Sequence, residues 1–107
     1  MRIIARRTLR EFVDSLAGHK DQPAVKASLD AWFDEARKAR WRSPAEVKRS
    51  YGTASIVTAE RIVFNVKGNV YRLVVAVDFE KRIVLINWIG THKDYDRIDV
   101  IKVQYEK

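Results

Sequence analysis

Apolar residues in the first third of the chain recur every three or four positions, which is the spacing of amphipathic helices. Thr8 and Glu11 have the spacing of a capping box, so the sequence predicts a first helix that begins at Thr8 and ends at Gly18. Pro23 suits the first turn of a second helix. The apolar stripe of that helix comprises Val25, Leu29, Trp32, Phe33 and Ala36.

Two shorter elements flank these helices. Met1 to Ile4 suits a short edge strand. Further on, Ser43 and Glu46 form a second capping box, which predicts a short helix that ends at Gly52. The stretch 51–58 that follows is irregular or weakly extended.

A β-hairpin is predicted from Phe64 to Leu73, because polar and apolar residues alternate on both sides of Gly68-Asn69. A two-residue loop there would place Val66 opposite Tyr71 and Asn65 opposite Arg72. One face of the hairpin is then apolar and needs the two helices to cover it. Its residues are Ile62, Phe64, Val66, Tyr71, Leu73, Val75 and Val77.

A third apolar run, Ile83 to Ile89, predicts another antiparallel strand after a reversal at Glu80-Lys81. A two-residue loop there pairs Leu73 with Trp88 and Tyr71 with Gly90. In that register Val84, Ile86 and Trp88 join the helix-covered face. A loop one residue longer would move every one of these side chains to the other face.

These elements predict an α+β fold in which two N-terminal helices pack on one face of a small, mainly antiparallel sheet. The 107 residues fit one domain, 1–107. No stretch approaches the roughly 20 apolar residues of a membrane span, so we expect a cytoplasmic protein without a membrane partner. With no cysteine, the chain has no disulfide, no thiolate metal ligand and no cysteine nucleophile.

The charge balance favours a polyanionic partner, with nucleic acid ahead of membrane. Lys and Arg number 21 against 14 Asp and Glu, which gives a net charge of +7. Six of the cations cluster around a single acid, Glu46, and they are Arg37, Lys38, Arg40, Arg42, Lys48 and Arg49. Four of these are candidate RNA contacts: Arg40, Arg42, Lys48 and Arg49. The alternative is a solvated helix end whose cations complement the helix dipole.

The predicted register brings His92 near the hairpin turn, where chemistry on RNA becomes possible. Cleavage of RNA by its own 2′-hydroxyl needs a base, an acid and fixed positive charge at the phosphate. Histidine changes its charge near neutral pH, so His92 suits proton transfer. Arg72 or Lys67 would hold the phosphate, and Tyr95 would stack on a base or donate its hydroxyl.

Less specific interpretations stay open for the same residues. His92 can be a polar loop residue at a strand end, and Asp94 and Asp96 can cap the segment that follows it. The other histidine, His19, lies in a turn and is read as a solvated residue rather than a ligand. We expect no metal site, because the acids near His92 lack a recognisable ligand spacing, and we expect no cofactor.

The hairpin sequence, followed by an apolar strand and by Gly90-Thr91-His92-Lys93-Asp94-Tyr95-Asp96, resembles the HigB-type toxins of bacterial toxin–antitoxin modules. The resemblance covers nearly the whole chain. It implies a RelE-like fold and a metal-independent, ribosome-dependent endoribonuclease that cuts messenger RNA. It also implies a partner, a helix-turn-helix antitoxin of the HigA type, that holds the toxin inactive.

The resemblance also implies site residues. His92, Lys93 and Tyr95 match the family's Thr-His-Lys motif region, and Asn69 and Arg72 match its hairpin motif. We further expect Arg61 and Asn65 to contact RNA from the same hairpin. No second histidine or glutamate stands opposite His92, so Lys67, Lys93 or the ribosome would supply the base.

Two rival functions are consistent with the sequence. The first is a non-catalytic RNA- or ribosome-binding module in which His92 is only structural. The second is a protein-binding subunit for which the excess of positive charge is incidental.

Overall fold

The computed structural model describes residues 1–103, which form an α+β fold. The predicted fold class is confirmed. In chain order the elements are β1 Arg2–Ile4, α1 Arg6–Ser15, α2 Gln22–Lys38, α3 Pro44–Ser50, β2 Ser55–Ile56, β3 Arg61–Val66, β4 Tyr71–Asp78, β5 Ile83–Thr91 and α4 His92–Tyr95. Residues 104–107 of the predicted domain lie outside the described part.

The strands form one mixed sheet in the order β1-β5-β4-β3-β2. The strand β1 is the predicted edge strand and runs parallel to β5, with Arg2 paired to Ile83. The other neighbours are antiparallel. The predicted hairpin register is confirmed, since Val66 pairs with Tyr71 and Asn65 with Arg72.

The core lies between one face of the sheet, here called the helical face, and the helices. The predicted stripe of α2 is buried at Val25, Leu29, Trp32 and Ala36, while Phe33 is partly buried. Phe64 of β3 lies at the centre of an aromatic cluster. Its ring centroid is 5.0 Å from that of Tyr51, 5.4 Å from that of Trp32 and 6.3 Å from that of Trp41. These contacts hold α2 and α3 against the sheet.

The start of α1 differs from the prediction. The helix begins at Arg6, and Ala5, rather than Thr8, precedes it in a left-handed conformation with φ 74°. Pairing of β1 with β5 fixes the chain as far as Ile4, so the single residue Ala5 must make the whole turn into the helix. Thr8 therefore lies within the first turn of α1, where its hydroxyl is buried without a hydrogen-bond partner among residues 1–103.

The other helix starts follow the sequence. Pro23 lies in the first turn of α2. Ser43 caps α3, and its hydroxyl accepts a hydrogen bond from the Glu46 backbone N–H at 3.3 Å. No helix within residues 1–103 is long and apolar enough to cross a membrane.

The predicted register of β5 against β4 is confirmed in the first half of β5 and is wrong in the second half. Val75 pairs with Ile86, as a two-residue loop requires, but Val74 pairs with Trp88, so Asn87 is an extra residue in a β-bulge. Beyond the bulge, Leu73 meets Ile89 and Tyr71 meets Thr91. Trp88 therefore lies on the face opposite the helical face, here called the open face, and Ile89 takes its expected place in the core.

Candidate functional site

The hairpin turn and the end of β5 meet at one corner of the sheet. The Val70 N–H donates to the Lys67 carbonyl at 3.3 Å, which closes the predicted turn around Gly68-Asn69. On the neighbouring strand, the His92 backbone N–H donates to the Val70 carbonyl at 2.8 Å. The turn therefore fixes the backbone at His92.

The strand β5 passes into α4 without a loop because Thr91 caps the helix. Its backbone is extended, and its hydroxyl accepts a hydrogen bond from the Asp94 N–H at 3.0 Å. His92 is consequently the first residue of α4. The Asp94 backbone N–H is the donor in this cap. The capping oxygen is the Thr91 hydroxyl rather than a carboxylate of Asp94 or Asp96.

Arg72 projects from β4 on the open face, opposite Asn65 on one side and Gly90 on the other. Its guanidinium donates to the Asn69 carbonyl at 2.8 Å. The guanidinium carbon lies 6.0 Å from the centroid of the Tyr95 ring. The hairpin turn and α4 thus hold Arg72 from two sides, and the planar fork retains further donors for a ligand.

The His92 side chain is accessible, with 48% of its surface exposed. Its Nε2 atom lies 3.5 Å from Oδ1 of Asp96, a contact that becomes an ion pair when the imidazole is protonated. Asp96 is a residue that the sequence interpretation considered only as a cap. The contact between His92 and Asp96 was predictable from their spacing, because residues four apart on a helix face each other.

Trp88 and Gly90 are neighbours of this corner that the predicted register had assigned elsewhere. The Trp88 and Tyr95 ring centroids are 6.3 Å apart, with an interplanar angle of 50°. Gly90 is buried beneath the indole, since a Cβ atom at Gly90 would lie 2.5 Å from Cη2 of Trp88. Only knowledge of the bulge at Asn87 would have revealed these two residues.

Lys67 forms an ion pair with the turn between α1 and α2. Its ammonium lies 3.2 Å from Oδ1 of Asp21, in the turn between α1 and α2, and the Tyr71 hydroxyl donates to Oδ2 of the same carboxylate at 3.0 Å. His19, in the same turn, accepts a hydrogen bond from the Asp21 N–H at 3.0 Å. The contacts of Lys67 therefore lie on the helical side of the sheet.

The carboxylate of Asp21 responds to these contacts. Burial by itself would raise its pKa, but the hydrogen bonds from Tyr71 and Lys67 outweigh that effect and hold the pKa below its usual value of 3.8. Burial and the hydrogen bond to Asp21 raise the pKa of Tyr71 above its usual value. The cluster is thus formed by an ionised Asp21 and a protonated Tyr71.

The other predicted RNA contacts are spread over the molecule. Lys93 is exposed on α4, next to His92, and Asn69 is exposed in the turn. Arg61 lies near the far end of β3, and its guanidinium donates to the carbonyls of Val100 and Val103, at 3.3 and 2.5 Å. Arg61 therefore holds the segment after α4 against the sheet and lies away from the corner.

One cation of the basic cluster, Arg42, lies at the opposite end of the sheet from His92. Arg42 lines a hollow together with Phe79 and Lys81 of the β4–β5 turn. The strand β4 runs from Tyr71 to Asp78, and a rise of about 3.3 Å per residue separates its ends by roughly 23 Å. The cluster residues Arg40, Arg42, Lys48 and Arg49 are exposed, although the Lys48 ammonium also donates to the Ala54 carbonyl at 2.5 Å.

The corner brings together Arg72, His92 and Tyr95, with Asp96 and Trp88 beside them. Within residues 1–103, no group of three or more histidine, aspartate or glutamate side chains is arranged to hold a metal ion. What the corner offers is an exposed imidazole, a positioned guanidinium and aromatic surface. This set can bind a phosphate and transfer a proton near it.

Comparison with known proteins identifies the family. No curated protein matches the chain significantly. The model of the HigB toxin family, described as the RelE-like toxic component of a toxin–antitoxin system, matches residues 25–98. This match spans well over half of the chain and includes the hairpin, β5 and α4. The chain belongs to the HigB family of RelE-like toxins, whose members act within toxin–antitoxin systems and have a cognate antitoxin as partner.

Proposed function

We propose that this toxin is an endoribonuclease that cuts messenger RNA on the translating ribosome and that a helix-turn-helix antitoxin of the HigA type neutralises it. Membership of a RelE-like toxin family supports this function. The observation that carries the proposal is the meeting of Arg72, His92 and Tyr95 at one exposed corner of the sheet.

The reaction is attack by the ribose 2′-oxygen on the adjacent phosphorus. The 2′-hydroxyl gives its proton to a base, for which Lys67, Lys93 or a group of the ribosome is the candidate. The bond from phosphorus to the 5′-oxygen breaks, and that oxygen takes up a proton from His92. The products are a 2′,3′-cyclic phosphate and a 5′-hydroxyl. No ion or cofactor is needed to balance these steps, so side chains that transfer protons and stabilise charge suffice.

Arg72 stabilises the phosphate as negative charge builds on its oxygens. The Asn69 carbonyl holds one nitrogen of the guanidinium at 2.8 Å, so the fork needs little reorganisation when RNA binds. The charge is fixed on a strand rather than on a loop. Fixed donors of this kind contribute more to the rate than mobile ones.

His92 acts as the general acid that protonates the leaving 5′-oxygen. The Asp96 carboxylate, 3.5 Å from Nε2, orients the imidazole ring. Tyr95, the last residue of α4, has its ring centroid 6.0 Å from the Arg72 guanidinium carbon. Its hydroxyl or its ring contacts the nucleotide at the cleaved bond.

The basic cluster serves a separate purpose in this proposal. Of the candidate cations Arg40, Arg42, Lys48 and Arg49, Arg42 lies beside the β4–β5 turn, roughly 20 Å from the corner and too far to contact the same phosphate. Their charge suits contacts with the ribosomal RNA backbone, which give affinity without sequence preference. Binding to the ribosome then delivers the corner to the messenger RNA.

The test is brief induction of the wild-type toxin in cells, followed by growth measurement and primer extension on one abundant message. His92→Ala should abolish arrest and the new 5′ ends while the protein still sediments with ribosomes. His19→Ala is the matched control, because His19 is the other histidine and its side chain is 46% exposed. Arrest by His92→Ala at the wild-type level, or arrest without cleavage by the wild type, would instead support the non-catalytic binding module.

A further inference from the structure

Trp88 differs from the other tryptophans of the chain in its surroundings. Trp32 and Trp41 are 4% and 6% exposed and belong to the core. Trp88 is only partly buried and lies on the open face of the sheet, at the corner that contains Arg72. Part of the Trp88 side chain is therefore accessible at this corner.

The bulge at Asn87 is the cause of this placement. With regular alternation, Trp88 would share the helical face with Ile86, and the extra residue turns it to the other side. Ile89 then fills the core position in its stead, opposite Leu73. The fold therefore keeps its core complete and still presents an indole on the open face.

Gly90 allows the indole to lie along the strand toward the corner. The atoms of Trp88 nearest to a Cβ built at Gly90 are Cη2 at 2.5 Å and Cζ2 at 2.6 Å. These atoms form the distal edge of the six-membered ring, so the ring extends over Gly90 in the direction of Thr91 and α4. Any side chain at Gly90 would displace it.

Tyr95 and Arg72 complete the surroundings of the indole. The Tyr95 ring is inclined at 50° to the indole, so the two rings do not stack face to face on each other. The Arg72 guanidinium carbon is 6.0 Å from the Tyr95 centroid on the same side of the sheet. Aromatic faces and a phosphate-binding cation are therefore adjacent.

We propose that Trp88, together with Tyr95, forms a stacking subsite for one unpaired base of the bound RNA, beside the phosphate held by Arg72. Proteins commonly recognise single-stranded RNA by stacking splayed bases on aromatic side chains, and such stacking tolerates any base. The subsite deepens the proposed ribonuclease function and rests on it. It names the substrate as an unstacked single strand.

A purely structural role is the competing interpretation. Val74 and Val63 share the open face with Trp88 and are buried, so the indole could simply cover them. Trp88→Leu keeps an apolar side chain over Val74 but removes the stacking surface, and Trp88→Phe keeps a smaller aromatic ring. Comparing these two variants separates covering from stacking.

The experiment measures the binding of two RNA probes to the purified toxin by fluorescence anisotropy. The first is a labelled adenine hexanucleotide with 2′-O-methyl groups, which cannot be cleaved by its own 2′-oxygen. The second has the same backbone and charge but lacks the bases. Stacking predicts that the wild type binds the first about tenfold more tightly, the size of one stacked base. It also predicts quenching of the indole fluorescence by the unlabelled first probe only.

Trp88→Leu should lose most of this tenfold preference and most of the quenching, whereas Trp88→Phe should keep the preference within about threefold. Phe79→Leu is the matched control, since it removes a partly buried ring at the other end of the sheet. Thermal unfolding checks that each variant is folded. Equal binding of the two probes by the wild type, a result that needs no variant, would overturn the subsite.

The two proposals fail in different ways. If the wild type cuts messenger RNA but binds both probes equally, the ribonuclease function stands and the stacking subsite is wrong. If the wild type cuts no RNA but binds the probe with bases more tightly, and this preference depends on Trp88, the stacking subsite is right and the protein is a non-catalytic RNA-binding module.

Discussion

The carboxylate of Asp21, in the turn before α2, accepts a hydrogen bond from the Tyr71 hydroxyl at 3.0 Å across fifty residues of sequence. Lys67 adds an ion pair to the same carboxylate. These contacts join the helices to both ends of the hairpin turn. The turn itself holds Arg72 through the Asn69 carbonyl and His92 through the Val70 carbonyl.

Asp21→Asn should lower the stability of the folded protein at neutral pH, because the neutral amide loses the ion pair with Lys67. The pKa of Asp21 in the folded protein is held below 3.8. The ionised carboxylate therefore stabilises the folded protein fully above about that pH. As the pH falls from 3.8 through the lower pKa of the folded state, the wild type loses this contribution and the variant does not. Urea unfolding midpoints measured from pH 7 to pH 2.5 should therefore converge.

Asp30→Asn is the control for that series. Asp30 also faces a lysine, Lys26 at 2.6 Å, but this pair is exposed on one helix, and such pairs contribute little. A difference between Asp21→Asn and the wild type that stays constant down to pH 2.5 would contradict the role assigned to the ionised carboxylate.

Gly90→Ala should destabilise the protein by about 1–3 kcal/mol, the usual cost of forcing extra volume into a filled space. The new methyl group would lie 2.5 Å from the Trp88 ring, which must rotate away or push the strand. Gly52→Ala is the control, because nothing lies within 4 Å of a Cβ there. Equal urea midpoints for Gly90→Ala and the wild type would show that the indole does not rest on Gly90.

Arg72→Ala should reduce the rate of RNA cleavage on ribosomes about 100- to 1,000-fold, the usual effect of removing one donor to a developing negative charge. Arg72→Lys keeps the charge but not the planar fork, so its rate should fall between the two. Single-turnover cleavage with ribosomes in excess measures both. Arg97→Ala, which removes an exposed cation just after α4, should retain the wild-type rate. A wild-type rate for Arg72→Ala would remove Arg72 from the mechanism.

Replacing Arg40 and Arg42 together by glutamine should weaken binding to ribosomes and make it less sensitive to salt. Removing one cation that binds a phosphate lowers the slope of log affinity against log salt by about one, so removing both should lower it by about two. Cleavage by toxin already bound should be unchanged, because Arg42 is remote from His92. Replacing Arg10 and Lys20, two exposed cations elsewhere, makes the same charge change and should leave the slope unaltered.

Alternation and turn residues predicted most of the fold, and a single inserted residue accounts for the main error. The hairpin was predictable because Gly68-Asn69 and the pattern around it agree on one register. The bulge at Asn87 has no such signal, because Asn87 and Trp88 read as the next two residues of a regular strand. The prediction of the site was incomplete for the same reason, since Trp88 was expected in the core.

The start of α1 and the position of Lys67 show a different limit. Thr8 has an acceptable capping sequence, but the pairing of β1 with β5, some eighty residues away, decides where the helix begins. Lys67 was expected to face RNA with Arg72, yet Asp21 binds it on the other side of the hairpin turn. Both outcomes depend on contacts between distant segments, which a local pattern does not contain.

The parallel pairing of β1 with β5 has a consequence for biosynthesis. The strand β5 is flanked on both sides, by β1 and β4, and it leads directly into His92. The ribosome makes β1 some eighty residues before β5, so the sheet cannot be completed until β5 has emerged. Pairings between such distant segments also form slowly. A nascent chain therefore carries its basic cluster before it has an assembled corner, because that corner requires β5 and α4 to have been made.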